Sequence, residues 1–276
     1  MVEAMGVGES RSHNGDRAIE ESIAAATRHM SGRPDFVLSW VTEGYDPQSV
    51  AETVSGYAPV TCGCSVWGAI TPKGVLTRGI VSIALKLHRP VIGPVVAPLD
   101  GEDRIHSGHT LGNSLFEQRM PSRWGLGIVF MNSSEHGDDF VAGLYRAVGP
   151  RFPLFGCATW DAGWSGYVFS NGTLVEHGAL AFALEAVGRV EPVARHGWTP
   201  LSPPSLATRA ADGELLLDGK PAWDRYVELL PSESISIRAE AAGDSDAGTS
   251  DEQRVARQSP NVDTRAPFPA CLVLHA

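Results

Sequence analysis

A chain of 276 residues with 43% hydrophobic composition is long enough to bury a full core and is expected to be globular over most of its length. Its formal net charge of -10, from 32 acidic against 22 basic residues, excludes a general nucleic-acid binder, because attachment to phosphate needs a basic face. No stretch approaches the roughly 18 to 20 uninterrupted apolar residues that cross a bilayer, so no membrane is expected as a partner, and small ligands or proteins remain.

The first fifteen residues are polar and carry Glu3, Glu9 and Arg11, without the apolar core of a secretion signal. A cytoplasmic location with reduced cysteines is therefore expected. Residues 16–30 place Ala18, Ile19, Ile23, Ala26 and Met30 at helical spacing behind the capping candidates Asn14 and Gly15. The run Phe36-Val37-Leu38-Ser39-Trp40-Val41 reads as a buried strand, and Asp46-Pro47 as cap and first turn of a second helix ending near Gly56. Val60-Thr61-Cys62 returns as a second strand, which gives a βαβ unit with a turn at Gly63-Cys64-Ser65-Val66-Trp67-Gly68. Residues 75–87 and 91–98, joined by His88-Arg89-Pro90, read as an antiparallel pair. Cys62 and Cys64 are read as splayed thiols that do not bridge.

The same order recurs: a strand at 126–131, a helix at 137–148, a strand at 153–155, a glycine turn, and a hairpin over 167–184 whose Asn171-Gly172 pair demands positive φ. Gly63-Cys64-Ser65 matches Gly156-Cys157-Ala158, and the glycines at 74 and 79 match those at 172 and 178 with a one-residue adjustment. The fold class expected is α/β, with internally duplicated βαβ plus β-hairpin halves at about 33–100 and 122–187 forming mixed sheets. The groove between the halves is the natural ligand site, flanked by loops at 100–120 and 161–165. After residue 185 come Pro192, Pro200, Pro203 and Pro204, which read as a linker. A hairpin at 208–217 with an Asp212-Gly213 turn and a helix from Lys220 to about Leu230 follow, and 239–265 has the composition of a disordered segment.

Four motifs together resemble the FIST family, sensory domains found in bacterial signalling proteins and in some F-box proteins. They are Pro34-Asp35-Phe36-Val37-Leu38; Thr61-Cys62-Gly63-Cys64-Ser65 with Gly68; Phe152-Pro153-Leu154-Phe155-Gly156 leading to Tyr167-Val168-Phe169-Ser170-Asn171-Gly172; and Leu217-Asp218-Gly219-Lys220-Pro221-Ala222. The resemblance implies an amino-terminal FIST domain at 15–190, a linker and a truncated start of the carboxy-terminal FIST domain at 191–238, and a tail at 239–276. It implies signal transduction through small-molecule sensing, with amino acids and related metabolites as ligands, and it does not imply an enzyme. Some members resemble haem-binding nitric oxide sensors, for which His106, His109 and His177 are the axial candidates here.

The expected ligand-binding residues are Cys64, Ser65 and Trp67 at the first glycine turn and Gly156, Trp160, Asp161 and Trp164 at the second. Such a turn offers backbone amides and a hydroxyl to an anion, the tryptophans line an apolar wall, and Asp161 or Asp218 faces an ammonium group. A tight structural turn, buried tryptophans and solvated acids are the bland readings of the same residues. A thiol-dependent enzyme using Cys64 is the rival of another class, and requires a base beside the sulfur. A zinc site from Cys62, Cys64, His106 and His109 is disfavoured by spacing. No Gly-x-Ser-x-Gly elbow, His-Glu-x-x-His or phosphate loop occurs, so no catalytic residue and no metal ligand is assigned. The chain shows no recognisable kinase, cyclase or DNA-binding segment, so its output is expected through a separate signalling protein. A remnant that keeps the fold without the function is the last alternative.

Overall fold

A computed structural model describes residues 2–99, 103–118, 125–132, 137–159, 166–186, 190, 203–211 and 214–229. The chain divides into two compact units with the boundary between Ala194 and Arg195.

In the first unit, eight elements occur in order and then occur again. The first set is β1 (Val2–Ser10), α1 (Gly15–Thr27), β2 (Phe36–Val41), α2 (Pro47–Ser55), β3 (Val60–Ser65), β4 (Ala69–Thr71), β5 (Gly74–Leu76) and β6 (Ile80–Leu87). The second is β7 (Ile92–Pro98), α3 (Arg104–Gln118), β8 (Gly125–Met131), α4 (Gly137–Val148), β9 (Leu154–Ala158), β10 (Tyr167–Ser170), β11 (Thr173–Glu176) and β12 (Gly178–Glu185). Equivalent hydrogen bonds repeat with them. Thr42 N–H donates to Gly79 O in one copy as Asn132 N–H does to Gly178 O in the other. Val66 N–H reaches Val41 O as Thr159 N–H reaches Met131 O.

The elements make four layers. One sheet runs β1-β6-β2-β3-β10-β11 and the other β7-β12-β8-β9, each with a single parallel pair, β2 with β3 and β8 with β9. Phe36, Leu38, Cys62 and Cys64 of the first sheet meet Ile128, Phe130, Leu180 and Phe182 of the second in the central core. Phe36 and Phe182 pack at 5.0 Å between centroids with their planes tilted by 47°, and Trp40 meets Phe130 edge-on at 6.2 Å. Ile19, Ile23, Val50 and Val54 of α1 and α2 cover the outer face of the first sheet, and Leu111, Leu115, Phe140 and Leu144 of α3 and α4 cover that of the second. Strands covered on both faces read as continuous apolar runs, which explains Phe36–Val41 and Ile80–Leu87.

The caps are as expected: Asn14 Oδ1 accepts from Arg17 N–H at 2.9 Å, and Asp46 Oδ1 from Ser49 N–H at 2.7 Å with Pro47 in the first turn. Four other expectations are corrected. Residues 75–87 and 91–98 do not pair, because His88-Arg89-Pro90 carries the chain between sheets, leaving β6 between β1 and β2 and β7 beside β12. The hairpin over 167–184 divides at His177, where φ is +48: β10 and β11 extend the first sheet while β12 enters the second. The loop expected at 100–120 contains α3, whose glycines permit the tertiary contact that forms it. A Cβ on Gly108 would lie 2.0 Å from Phe140 O of α4, and one on Gly143 equally close to Ile105 O. The polar amino terminus contains β1, in which Gly6 and Gly8 face α1 so closely that a Cβ would meet Ala26 O at 1.8 Å and Ser22 O at 2.0 Å.

In the second unit, β13 (Ala207–Ala211) and β14 (Glu214–Leu217) form an antiparallel hairpin, β14 turns through Asp218 and Gly219 at positive φ into β15 (Lys220–Pro221), and α5 (Ala222–Leu229) follows. The Asp212-Gly213 turn, most of the proline-rich stretch and residues 239–276 lie outside the described residues.

Candidate functional site

The parallel strands β2 and β3 end side by side at Val41 and Ser65, and beyond β2 the chain turns through Thr42, Glu43, Gly44 and Tyr45 into the capped start of α2. The carboxyl ends of parallel strands are where open α/β sheets leave a crevice. Here the crevice is closed by the second copy. Strand β10 pairs antiparallel with β3, setting Val168 opposite Cys64, Phe169 opposite Gly63 and Ser170 opposite Cys62.

Three sequence features hold this hairpin. Gly63 leaves room for the Phe169 ring, since a Cβ there would stand 2.3 Å from that ring and 2.2 Å from Ser39 O. Asn171 and Gly172 take φ of +47 and +83, and Asn171 exchanges two hydrogen bonds with Thr61, accepting from its N–H at 2.8 Å and donating to its carbonyl at 2.9 Å. Ser65 Oγ accepts from Tyr167 N–H at 2.9 Å.

Between the two copies lies a cavity of about 250 Å³. Thr42, Glu43, Gly44, Tyr45, Pro47 and Ser65 wall it from the first copy, and Gly166, Tyr167, Glu176 and His177 from the second. Several of its polar groups serve the fold. Thr42 Oγ1 accepts from Gly79 N–H at 2.6 Å and Tyr45 OH donates to Ser12 O at 2.5 Å, while burial raises the tyrosine pKa. Asn132 Nδ2 donates to Gly166 O at 2.6 Å and lies 3.2 Å from His177 Nδ1. An amide nitrogen only donates, so Nδ1 is the acceptor.

Two carboxylates on the wall are open to solvent, and one hydroxyl behind it is buried without a partner among the described residues. The exposed carboxylates of Glu43 and Glu176 make no hydrogen bond or ion pair among the described residues. Thr159 Oγ1, on a residue 4% exposed, has no partner among the described residues, and it lies behind the cavity wall at 2.6 Å from where Gly166 would carry a Cβ. The Arg78 guanidinium lies against Gly44, with Nη2 3.3 Å from the position of a Cβ there.

Of the expected ligand residues, Ser65 lines the cavity, with its hydroxyl engaged by the hairpin. Cys64 does not line it. Gly63-Cys64-Ser65 is strand rather than turn, and Cys62 and Cys64 point together into the central core, as residues two apart in a strand must, which corrects the splayed reading. Both thiols are fully buried, and burial pushes both well up, the opposite of what a nucleophile needs. Trp67, 45% exposed, follows β3 without lining the cavity. Gly156 sits in β9, where a Cβ would stand 1.7 Å from Val129 O, and its role is close strand packing. Trp160, Asp161 and Trp164 lie outside the described residues.

His106 and His109 are on α3, and His177 alone of the three lines the cavity. A haem does not fit there: about 250 Å³ is too small for a porphyrin, and the wall is largely polar, with two carboxylates, rather than an apolar slot. Among the described residues no cluster of His, Cys, Asp and Glu could hold a metal ion, and no helix is long and apolar enough to cross a membrane. Asp218 lies in the second unit, where it accepts from Leu206 N–H at 2.9 Å.

Sequence reasoning missed Glu43, Tyr45, Glu176 and the orphan hydroxyl of Thr159. The first two were accessible, since they link a strand's carboxyl end to a capped helix. The others depend on which sheet the hairpin joins.

A family model, the FIST N domain, matches residues 35–219, about two thirds of the chain. No curated protein and no solved structure matches it.

Proposed function

The chain belongs to the FIST family, and from that premise we propose that it senses a small metabolite, an amino acid or a close relative, in the cavity between β2, β3 and the β10–β11 hairpin. FIST domains are sensory domains of signalling proteins that bind small ligands, and the family is not known for catalysis.

One observation carries the placement: the cavity at the carboxyl ends of the parallel strands is walled by both copies, and each contributes a carboxylate to it. A ligand there touches Glu43 and Tyr45 before α2, and Glu176 and His177 where the chain leaves for the second sheet. Binding therefore favours one placement of the hairpin relative to α2. A separate signalling protein that reads this placement provides the output, because a ligand shifts an equilibrium only through contacts that differ between states.

The test is thermal unfolding of the whole chain against the amino acids and their corresponding amines and organic acids. A ligand that binds only the native state adds about 2.7 kcal/mol at a hundredfold excess over Kd, which raises the midpoint by several degrees. A rise with one chemical class supports the reading. A folded chain with no rise for any compound overturns it.

A further inference from the structure

Electrostatics at the cavity point to the class of ligand. Its walls carry two carboxylates, Glu43 from the first copy and Glu176 from the second, and neither Lys nor Arg. His177 is the other titratable side chain besides Tyr45 and Tyr167, and its Nδ1 accepts from Asn132 Nδ2. Arg78 stands beside the wall at Gly44, so the local balance, counting that guanidinium, is one negative charge. Lys73 and Lys86 are engaged elsewhere, with Glu9 at 3.4 Å and with Asp35 at 3.1 Å.

Surface carboxylates are ordinarily solvated and mean little. These two differ because they come from segments more than a hundred residues apart and are brought to one cavity by the pairing of β10 with β3. Behind the same wall is Thr159 Oγ1, buried without a partner among the described residues. An anionic ligand would meet two like charges with one cation at the margin. A cation gains a charge-assisted hydrogen bond from each copy, which also ties the hairpin to the loop before α2.

We propose that the cavity recognises an organic ammonium group, held between Glu43 and Glu176, so that compounds with a net positive charge bind better than zwitterions and zwitterions better than acids. This rests on the cavity being the sensory site. The ligand's amine is then the feature that bridges the two copies, and its alkyl portion lies along Tyr45, Pro47 and Tyr167. For an amino-acid ligand the inference assigns recognition to the ammonium end.

The probes are four compounds of equal chain length: 1,4-diaminobutane, n-butylamine, 4-aminobutyrate and butyrate. Calorimetric titration of the whole chain is expected to give affinities in that order. Glu43→Gln and Glu176→Gln should each weaken amine binding about tenfold, the loss of one hydrogen bond to a charged group, without changing the unfolding midpoint of the free protein. Glu117→Gln, at an exposed position on α3, is the control and should leave binding unchanged. Butyrate binding most tightly, or amine affinity unmoved in both cavity variants, overturns the ammonium assignment while leaving the cavity as a site. The absence of binding by all four, in a chain that responds to other compounds only through residues elsewhere, overturns the assignment and the sensory reading of the cavity together.

Discussion

The two copies of the eight-element set share strand order and hydrogen bonds, yet they treat their hairpins differently. In the second copy β10 and β11 leave their own sheet and extend the first one beyond β3. In the first copy β4 and β5 form a two-stranded ribbon that joins neither sheet. The segments leading to the hairpins differ too: three residues separate β3 from β4, and eight separate β9 from β10. The longer connection allows a crossing that the shorter does not. A duplicated fold thus acquires one walled cavity from a difference in connection length and a few side chains, without new elements. Ser65 is the clearest of those side chains. Its hydroxyl receives Tyr167 N–H, whereas the equivalent residue in the second copy is Ala158.

Substitutions that release the hairpin should make the copies more alike, and the largest effect is expected at Gly63. Gly63→Ala forces Phe169 and the Ser39 carbonyl away and should cost about 3 kcal/mol, with faster hydrogen exchange at Val168, Phe169 and Ser170. Gly156→Ala is also crowded, against Val129 O, but should leave exchange in β10 slow. Equal loosening of β10 by both would show that the hairpin is not held at Gly63.

Asn171→Ala comes next, at about 2 kcal/mol, because alanine is strained at positive φ and the Thr61 N–H loses its acceptor. Asn171→Gly relieves the strain alone and should recover about half, as denaturant midpoints would show. A full recovery would mean that the hydrogen bond contributes nothing. Ser65→Ala, which gives the first copy the residue of the second, should cost about 1.5 kcal/mol by leaving a buried N–H without this acceptor. The exchange Ala158→Ser should give no matching gain.

The smallest effect is electrostatic and lies outside the hairpin. Asp35 accepts from Leu87 N–H at 2.8 Å and lies near Lys86, which lowers its pKa. A carboxylate depressed in the folded state stabilises above its unfolded pKa, and that contribution is lost as pH falls through the folded value. Asp35→Asn should therefore cost under about 1 kcal/mol at pH 7, with the difference from the unmodified chain shrinking below about pH 4. A difference that stays constant into acid would show that the Leu87 contact, rather than the charge, matters.

Much of the fold was legible in the residues. The continuous apolar run Phe36–Val41, the Asp46-Pro47 cap and the paired glycines located β2, α2 and the duplication because each reflects a local constraint. The hairpin's destination was not legible, since the residue pattern of Tyr167–Ser170 and Thr173–Glu176 suits either sheet. Helix α3 was hidden for another reason: its Gly, Ser, His and Asn have poor helix propensity, and packing of Gly108 and Gly143 decides the matter. The candidate site suffered most. Cys64 drew attention by its motif but faces the core, whereas Glu43 and Glu176 share no local pattern.

The central claim, that the cavity closed by the β10–β11 hairpin is the sensory site, is tested most directly by filling it. Glu176 is exposed at the end of β11, so Glu176→Trp should fold normally while its ring occupies the mouth. Thermal unfolding of both proteins with whichever compound stabilises the unmodified chain should show equal midpoints without ligand and a rise only in the unmodified chain. A rise of equal size in Glu176→Trp would contradict the account and place the ligand elsewhere.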